Sequence, residues 1–250
     1  MDVEPIPLSR LAFAFVPVAA VIALMWRWRV GHQKALYAFL RMFVQLLMVG
    51  YALVYIFASD SGFVVAAILA VMVLASSWIA LNTVKTGKRD LFLASFVSIL
   101  AGGGVTLLIV TQGVLGLEPW YAPNMIIPLA GMIFASSMTS ISLAAERLVA
   151  ELENGVLYRK ARDTAFQAAM IPIINSLFAV GLVSLPGMMT GQILSGVSPL
   201  IAARYQIMVM CMIFGATGLS TACFLYMTRQ ATAFADQRNL DYQTGPIQEK

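Results

Sequence analysis

The stretch LFLASFVSILAGGGVTLLIVTQ, residues 91–112, contains no charged side chain. As a helix rising 1.5 Å per residue it would reach about 33 Å, enough to cross the hydrocarbon core of a bilayer. Comparable apolar runs fall at about 11–26, 36–58, 63–82, 125–145, 164–184 and 202–228. The 250-residue chain is 60% hydrophobic and 11% charged, against about 45–50% and 25% in a soluble domain. So few charges cannot solvate the surface of a water-soluble fold, and a disordered chain would need low hydrophobicity. Two cysteines rule out a disulfide-stapled scaffold. The expected fold class is an all-α polytopic membrane protein of about seven transmembrane helices. Residues 1–228 form a single transmembrane permease-like domain in this reading, and 229–250 form a cytoplasmic tail.

The placement of the charges sets an expected orientation. Arg27, Arg29 and Lys34 follow the first run, and Lys85, Lys88 and Arg89 the third. Arg147, Arg159, Lys160 and Arg162 follow the fifth, and Arg229, Arg238 and Lys250 the seventh. These are thirteen of the 16 basic residues, all in alternate loops. The opposite loops hold Asp2, Glu4, Asp60 and Glu118, with Arg10 the one base placed there. Because Lys and Arg stay on the cytoplasmic side, the N-terminus is expected outside and the C-terminus inside. The acidic start, Met1-Asp2-Val3-Glu4, is unlike a secretory signal, which begins basic. Trp26 and Trp28 at the inner edge, and Trp120 and Tyr121 at the outer edge, suit interfacial aromatic belts. The multi-pass chain is thus expected in a cell's inner (plasma) membrane, with the lipid bilayer its main partner and no nucleic acid involved.

The interior of the runs lacks ion-coupling chemistry. No Asp or Glu lies deep in any of them; Arg41 and Arg204 lie near run ends, where a long side chain can snorkel to headgroups. A proton- or sodium-coupled carrier normally uses a midplane carboxylate, so secondary transport loses weight. No G-x-x-x-x-G-K-[ST] phosphate loop is present. Thr86-Gly87-Lys88-Arg89 reads as a basic cytoplasmic turn. No cofactor is expected on this chain, and ATP-driven work would need ATP-Mg on a partner chain.

No catalytic constellation emerges, and the metal site, if any, is unknown. His32 is the single histidine and reads as a solvated loop residue. Cys211 and Cys223, twelve residues apart on one helix, would sit about 18 Å apart along its axis and cannot share one ion. The 15 Met suit flexible packing better than soft-metal transfer. Met188-Met189 is the one pair worth testing.

Pro128 and Pro172 interrupt the fifth and sixth runs, and such breaks are tolerated where backbone is covered or lines a cavity. Residues 185–200 carry no charge but include Pro186, Gly187, Gly191, Gly196 and Pro199. They are too apolar for an aqueous loop and too broken for a span. A short re-entrant or gate helix before the last span fits, with Gly187 and Gly191 at a spacing that permits close helix contact. Ser136, Ser137, Thr139, Ser140, Asn175 and Ser176 are the polar residues inside the later runs, suited either to bonds between helices or to lining a path. On the cytoplasmic side, Leu148 and Leu152 form an apolar pair on a helical extension. Asn154-Gly155 then fits a helix stop, and Tyr158, Arg159, Lys160 and Arg162 start the return helix. This hairpin either docks a partner or serves only as a basic turn.

Val180-Gly181-Leu182-Val183-Ser184-Leu185-Pro186-Gly187-Met188-Met189-Thr190-Gly191-Gln192 closely resembles the signature of FetB/YbbM-like permeases of ABC transporters. Arg41, Gln45, Gly50 and Tyr51 match as well. So do Ile127-Pro128-Leu129-Ala130-Gly131-Met132, Ile171-Pro172 with Asn175-Ser176, and Tyr205-Gln206-Ile207-Met208-Val209. The resemblance runs from about residue 36 to 228. It implies a permease subunit, paired with a cytosolic ABC ATPase and forming a homodimer in the membrane. Bacterial members are linked to iron export and plant relatives to aluminium tolerance. Two departures stand out. The stretch from Glu146 to Ile171 is shorter by about three turns of 3.6 residues, and Ala135-Ser136 stand where the family has Gly-Asn.

The leading expectation is therefore an ABC exporter permease for iron or a related metal, not an enzyme. Its gate or path would be formed by Asn175, Ser136, Pro186, Gly187, Met188, Met189 and Gly191. Leu148, Leu152, Gly155, Tyr158 and Arg159 would dock the ATPase. The alternatives are a non-transporting membrane scaffold or regulator and an ATP-independent secondary metal transporter.

Overall fold

The structure is a computed structural model that describes residues 7–57, 61–83 and 88–243. Asp2, Glu4, Asp60, Lys85, Thr86, Gly87 and Lys250, which enter the charge and loop readings above, lie outside the described residues. The described chain is helical throughout apart from turns and one isolated bridge. It divides into two compact units, residues 1–59 and 60–250.

The first unit holds α1 (Leu8–Phe13), α2 (Phe15–Arg27) and α3 (His32–Phe57). Arg29 and Gly31 take positive φ angles of 59° and 51° in the turn between α2 and α3. The Phe15 ring lies 5.9 Å from that of Phe39 and 6.5 Å from that of Phe43. Neither long helix buries any residue within the chain. Long helices of mainly apolar residues such as these suit a lipid surround.

The second unit begins with α4 (Gly62–Ala80). The quoted stretch follows as α5 (Lys88–Ser98), a π-helical segment at Ile99–Gly104, α6 (Val105–Leu108) and a second π segment at Ile109–Val114. Then come α7 (Pro123–Glu153), α8 (Tyr158–Ala179), α9 (Gly187–Leu194) and α10 (Pro199–Gln243). Helix α7 is central and packs against α4, α8 and α10. The stop expected at Asn154-Gly155 is present: α7 ends at Glu153, Gly155 takes φ 75°, and the Gly155 and Val156 N–H groups donate to the Leu152 and Glu151 carbonyls. The broken stretch 185–200 does contain a short helix, α9.

Among the described residues, six helices are long and apolar enough to cross a membrane. The run at 164–184, read above as a further span, corresponds to α8, which is not one of the six. Its first half carries Arg159, Lys160, Arg162, Asp163 and Gln167, and it stops at Ala179. There the backbone turns through Gly181, at φ 84°.

Small residues bring the second unit together. A Cβ on Gly102 would lie 2.4 Å from the Ser220 backbone nitrogen and 2.5 Å from its Oγ. The 99–104 segment and α10 therefore touch backbone to backbone. The same face of α10 is tied to α7. Ser220 donates to Ser137 Oγ at 3.1 Å, Thr221 donates to Ser140 Oγ at 2.9 Å, and Ser137 donates to the Ala216 carbonyl at 3.4 Å. All four hydroxyl residues are buried. Between α4 and α5, Ser95 donates to the Ser77 carbonyl at 3.4 Å.

Gly102→Ala is expected to destabilise the protein by about 1–3 kcal/mol, the usual cost of overpacking a dense core. The obstructing atoms are backbone and cannot rotate away. A thermal-unfolding midpoint in detergent should fall, whereas Gly113→Ala, where a Cβ meets nothing within 4 Å, should change little.

Candidate functional site

Pro128 and Pro172 lie inside α7 and α8, where each removes a donor from the helix ladder. Near these breaks, α7, α8 and α10 part to leave two adjoining cavities. One, of about 260 Å³, is lined by Ser136, Thr139 and Ser140 of α7, Pro172 and Ser176 of α8, and Ile213 and Thr217 of α10, among others. The other, of about 390 Å³, is lined by Met132 and Ser136, by Ser176, by Ser184 to Met188, and by Gln206, Met210 and Ile213. Ser136, Ile173, Ser176 and Ile213 belong to both walls, so the two form one continuous groove. No charged residue lines either part. Among the described residues, no group of three or more His, Cys, Asp or Glu could hold a metal ion.

The loop from Val180 to Pro186 shapes one end of the groove. Positive φ at Gly181 lets its N–H reach the Ser184 carbonyl at 3.0 Å, while the Ser184 N–H reaches back to Ala179 at 3.2 Å. This turn presents Leu185, Pro186 and Gly187 to the cavity and starts α9, whose Met188 also lines it. Met188 and Met132 border a further cavity of about 240 Å³ with Met125 and Met208.

The expected path residues divide clearly. Ser136, Pro186, Gly187 and Met188 come together around the groove. Asn175 is exposed and lines neither part; its neighbour Ser176 lines both. Met189 is half-buried and Gly191 exposed, and neither contributes to these walls. A Cβ on Gly187 or Gly191 would meet nothing within 4 Å, so their spacing brings no helix of this chain close.

Two lining residues were not singled out by sequence reasoning. Gln206 is 6% exposed and Thr217 is 3% exposed, yet Gln206 Oε1 and Thr217 Oγ1 have no hydrogen-bond partner in the protein. The signal was there in part. Gln206, Ile213 and Thr217 are spaced at i, i+7 and i+11, one stripe of a helix with 3.6 residues per turn.

The docking residues are more scattered. Leu148 is 2% exposed and belongs to the core, so it offers no surface to a partner. Leu152 is half-buried, and Gly155 and Arg159 are exposed. Arg147 pairs with Glu151 at 2.6 Å along α7. The Tyr158 hydroxyl donates to the Leu225 carbonyl, which pins the start of α8 to α10. Burial raises the Tyr158 phenol above its ordinary value, against the lowering influence of Arg162 and Arg229.

Fold and site together define a polytopic all-α membrane protein with an uncharged, mostly apolar groove set with hydroxyls and one amide. Residues 8–233 match the family described as "Uncharacterised protein family (UPF0014)", and the chain belongs to it. It is 34% identical to the UPF0014 membrane protein slr1647 of Synechocystis over 81% of this chain and 84% of that one. It is 32% identical to the "Probable iron export permease protein FetB" of Escherichia coli over 91% of this chain and 93% of that one. With the "Protein ALUMINUM SENSITIVE 3" of Arabidopsis thaliana it shares 31% identity over 78% of this chain and 75% of that one. No solved structure matches the chain.

Tyr158→Phe should lower stability by about 1 kcal/mol, because the Leu225 carbonyl loses its side-chain donor. The raised phenol value adds a pH signature. Its contribution is fully present below the unfolded value of about 10 and falls as pH rises from there through the folded value. Thermal midpoints measured from pH 8 to 11 should therefore drop more steeply in the wild type than in Tyr158→Phe.

Proposed function

We propose that this chain is the membrane-spanning permease subunit of an ABC transporter that exports iron or a related metal, with ATP hydrolysed on a separate cytosolic subunit. The observation that carries the reading is the uncharged groove between α7, α8 and α10, apolar for the most part but set with hydroxyls and one amide. One end is bordered by the Pro186-Gly187-Met188 turn. Intramembrane polar surface with broken helices is tolerated where it lines a path. Likeness over nearly the whole chain to a protein named as a probable iron export permease supports the same choice. Ser136, Ser176, Pro186, Gly187 and Met188 would border the path, and the α9 turn would act as its gate.

A groove without carboxylates lacks the usual coupling group for protons, which favours an external energy source. The hairpin from Asn154 to Arg162 is the candidate ATPase contact. Gly155, Leu157, Arg159 and Lys160 supply its exposed surface, whereas Leu148 acts as an internal anchor. The bias of Lys and Arg toward alternate loops supports a cytoplasmic hairpin, and the chain would sit in an inner (plasma) membrane. Two copies of the chain, each with an ATPase, would complete the transporter. ATP would then move the hairpin, and Tyr158 would pass that movement to α10 at Leu225.

The test is transport of labelled iron into inside-out vesicles containing the chain and the ATPase that copurifies with it. Uptake should require ATP. Ser136→Leu, which adds bulk at the junction of the two cavities, should reduce uptake to background with normal expression, and Thr190→Val, outside both walls, should retain it. ATP-independent uptake abolished by collapsing the proton gradient would overturn the reading in favour of a secondary transporter. Absence of a copurifying ATPase, with no chain-dependent flux, would favour a scaffold.

A further inference from the structure

Away from the groove, the start of α8 and the later part of α10 border a separate cavity of about 480 Å³. Its polar wall carries two guanidiniums, Arg162 and Arg229, with the side chains of Tyr158, Tyr226 and Gln167. Phe166 and Leu225 belong to its apolar part. The Tyr158 hydroxyl donates to the Leu225 carbonyl, so the two helices are tied together at the cavity itself. Both guanidiniums act electrostatically on that phenol, which sets two positive charges around one point. Asp163 is the one acid on the wall and accepts from Arg162 Nε and Nη2 at 2.9 and 2.6 Å. A guanidinium has five N–H groups, so this pair steadies Arg162 without using up its donors. Two arginines against one aspartate leave the wall a surplus of one positive charge.

The charges at the start of α8 run against its dipole. A helix N-terminus is the positive end and favours acids. The first turn of α8 holds no acid, and no side chain caps it, while Arg159, Lys160 and Arg162 all fall there or just beyond. An anion bound at this end would offset both the dipole and the arginines. The preference for bases on one side of a membrane is already met by Arg159 and Lys160, which are exposed and outside the cavity. It does not account for two arginines and two tyrosines gathered on one wall.

The depth of the cavity narrows the choice of anion. On α10 the uncharged stretch 205–228 ends at Arg229, and on α8 the uncharged stretch begins after Asp163. Residues 205–228 rise about 36 Å as a helix, close to the thickness of a hydrocarbon core. The two arginines therefore fall at headgroup level and Phe166 on the hydrocarbon side of them. Tyr226 is exposed and suits the same interface. A water-soluble anion would use only the polar half of such a site, whereas a phosphate carrying acyl chains uses both.

We infer that this cavity binds the headgroup of an anionic phospholipid, with Arg162 and Arg229 donating to its phosphate and its upper acyl chains lying against Phe166 and Tyr226. Basic pockets between membrane helices suit such headgroups. The lipid would bridge α8 and α10 beside the Tyr158–Leu225 bond, and its binding requires neither an ATPase nor a transported metal.

The test titrates the full chain, delipidated in detergent, with phosphatidylglycerol, phosphatidylcholine or inorganic phosphate. Native mass spectrometry reads binding, and the thermal midpoint of each variant is compared with its own lipid-free value. Phosphatidylglycerol should bind saturably, one tight molecule per chain, and raise the midpoint. Phosphatidylcholine, whose phosphate is neutralised by its own choline, and inorganic phosphate should do neither. Arg162→Gln and Arg229→Gln should each weaken phosphatidylglycerol about tenfold, for the loss of a charge-assisted bond. The double variant Arg159→Gln/Lys160→Gln removes two charges from the same end of α8 but outside the walls, and should bind the lipid as the wild type does. Arg229→Lys, which keeps the charge and the fold, should still weaken binding, because lysine cannot form the bidentate fork. An equal loss in the double variant would mean general surface attraction and overturn the site. Phosphatidylcholine or inorganic phosphate matching phosphatidylglycerol would overturn it too. Normal lipid binding in both Arg→Gln variants, with loss of a copurifying ATPase, would give the cavity to a protein partner instead.

Discussion

The second unit depends on how closely Gly102 approaches Ser220. With no side chain at 102, the π-helical segment at 99–104 meets the backbone of α10 directly. The same stretch of α10 also meets Ser137 and Ser140 on α7, through hydroxyl pairs at 3.1 and 2.9 Å. Lipid supplies little hydrophobic force for helix association, so close packing of small residues and short polar contacts must hold such helices together. The stretch of α10 from Ala216 to Thr221 thus holds the 99–104 segment and α7 around it.

That fixed stretch explains where the groove lies. Thr217 sits inside the clamped stretch and belongs to one cavity wall, and Gln206 lies three turns earlier along α10. Between them α10 borders the groove with Met210 and Ile213 rather than with hydroxyls bonded to α7. Pro172 in α8 and the turn at Gly181 then prevent the chain from closing over this side. The groove is a consequence of tight packing at one end of the bundle and interrupted helices at the other.

Much of this was legible in the sequence. Uncharged runs long enough for a bilayer gave the all-α membrane class, and Asn154-Gly155 marked the end of α7. The proline- and glycine-rich signature marked the loop and short helix at one end of the groove. Other features needed three dimensions. Leu148 reads as a surface stripe when only its charged neighbours are considered, but the packing of α7 against its neighbours buries it. Asn175 and Ser176 are adjacent and equally polar, and only the rotation of α8 decides which one lines the groove. The α8 run is apolar only in its second half, its first half carrying Arg162, Asp163 and Gln167, which by composition keeps it outside the six helices apolar enough to cross a membrane among the described residues. Gln206 lay in the recognised sequence pattern without a role, because an unpaired oxygen cannot be seen without its surroundings.

The proposed transport function requires the groove between α7, α8 and α10 to be a water-accessible path whose exposure changes with ATP. Thiol accessibility at Ser176→Cys tests it most directly, in a chain whose Cys211 and Cys223 are replaced by Ser. A membrane-impermeant methanethiosulfonate reagent should modify that cysteine in membranes, and adding ATP with the partner ATPase should shift the reactivity from one face of the membrane to the other. A cysteine at 176 that reacts with the impermeant reagent from neither face, with or without ATP, would contradict the account.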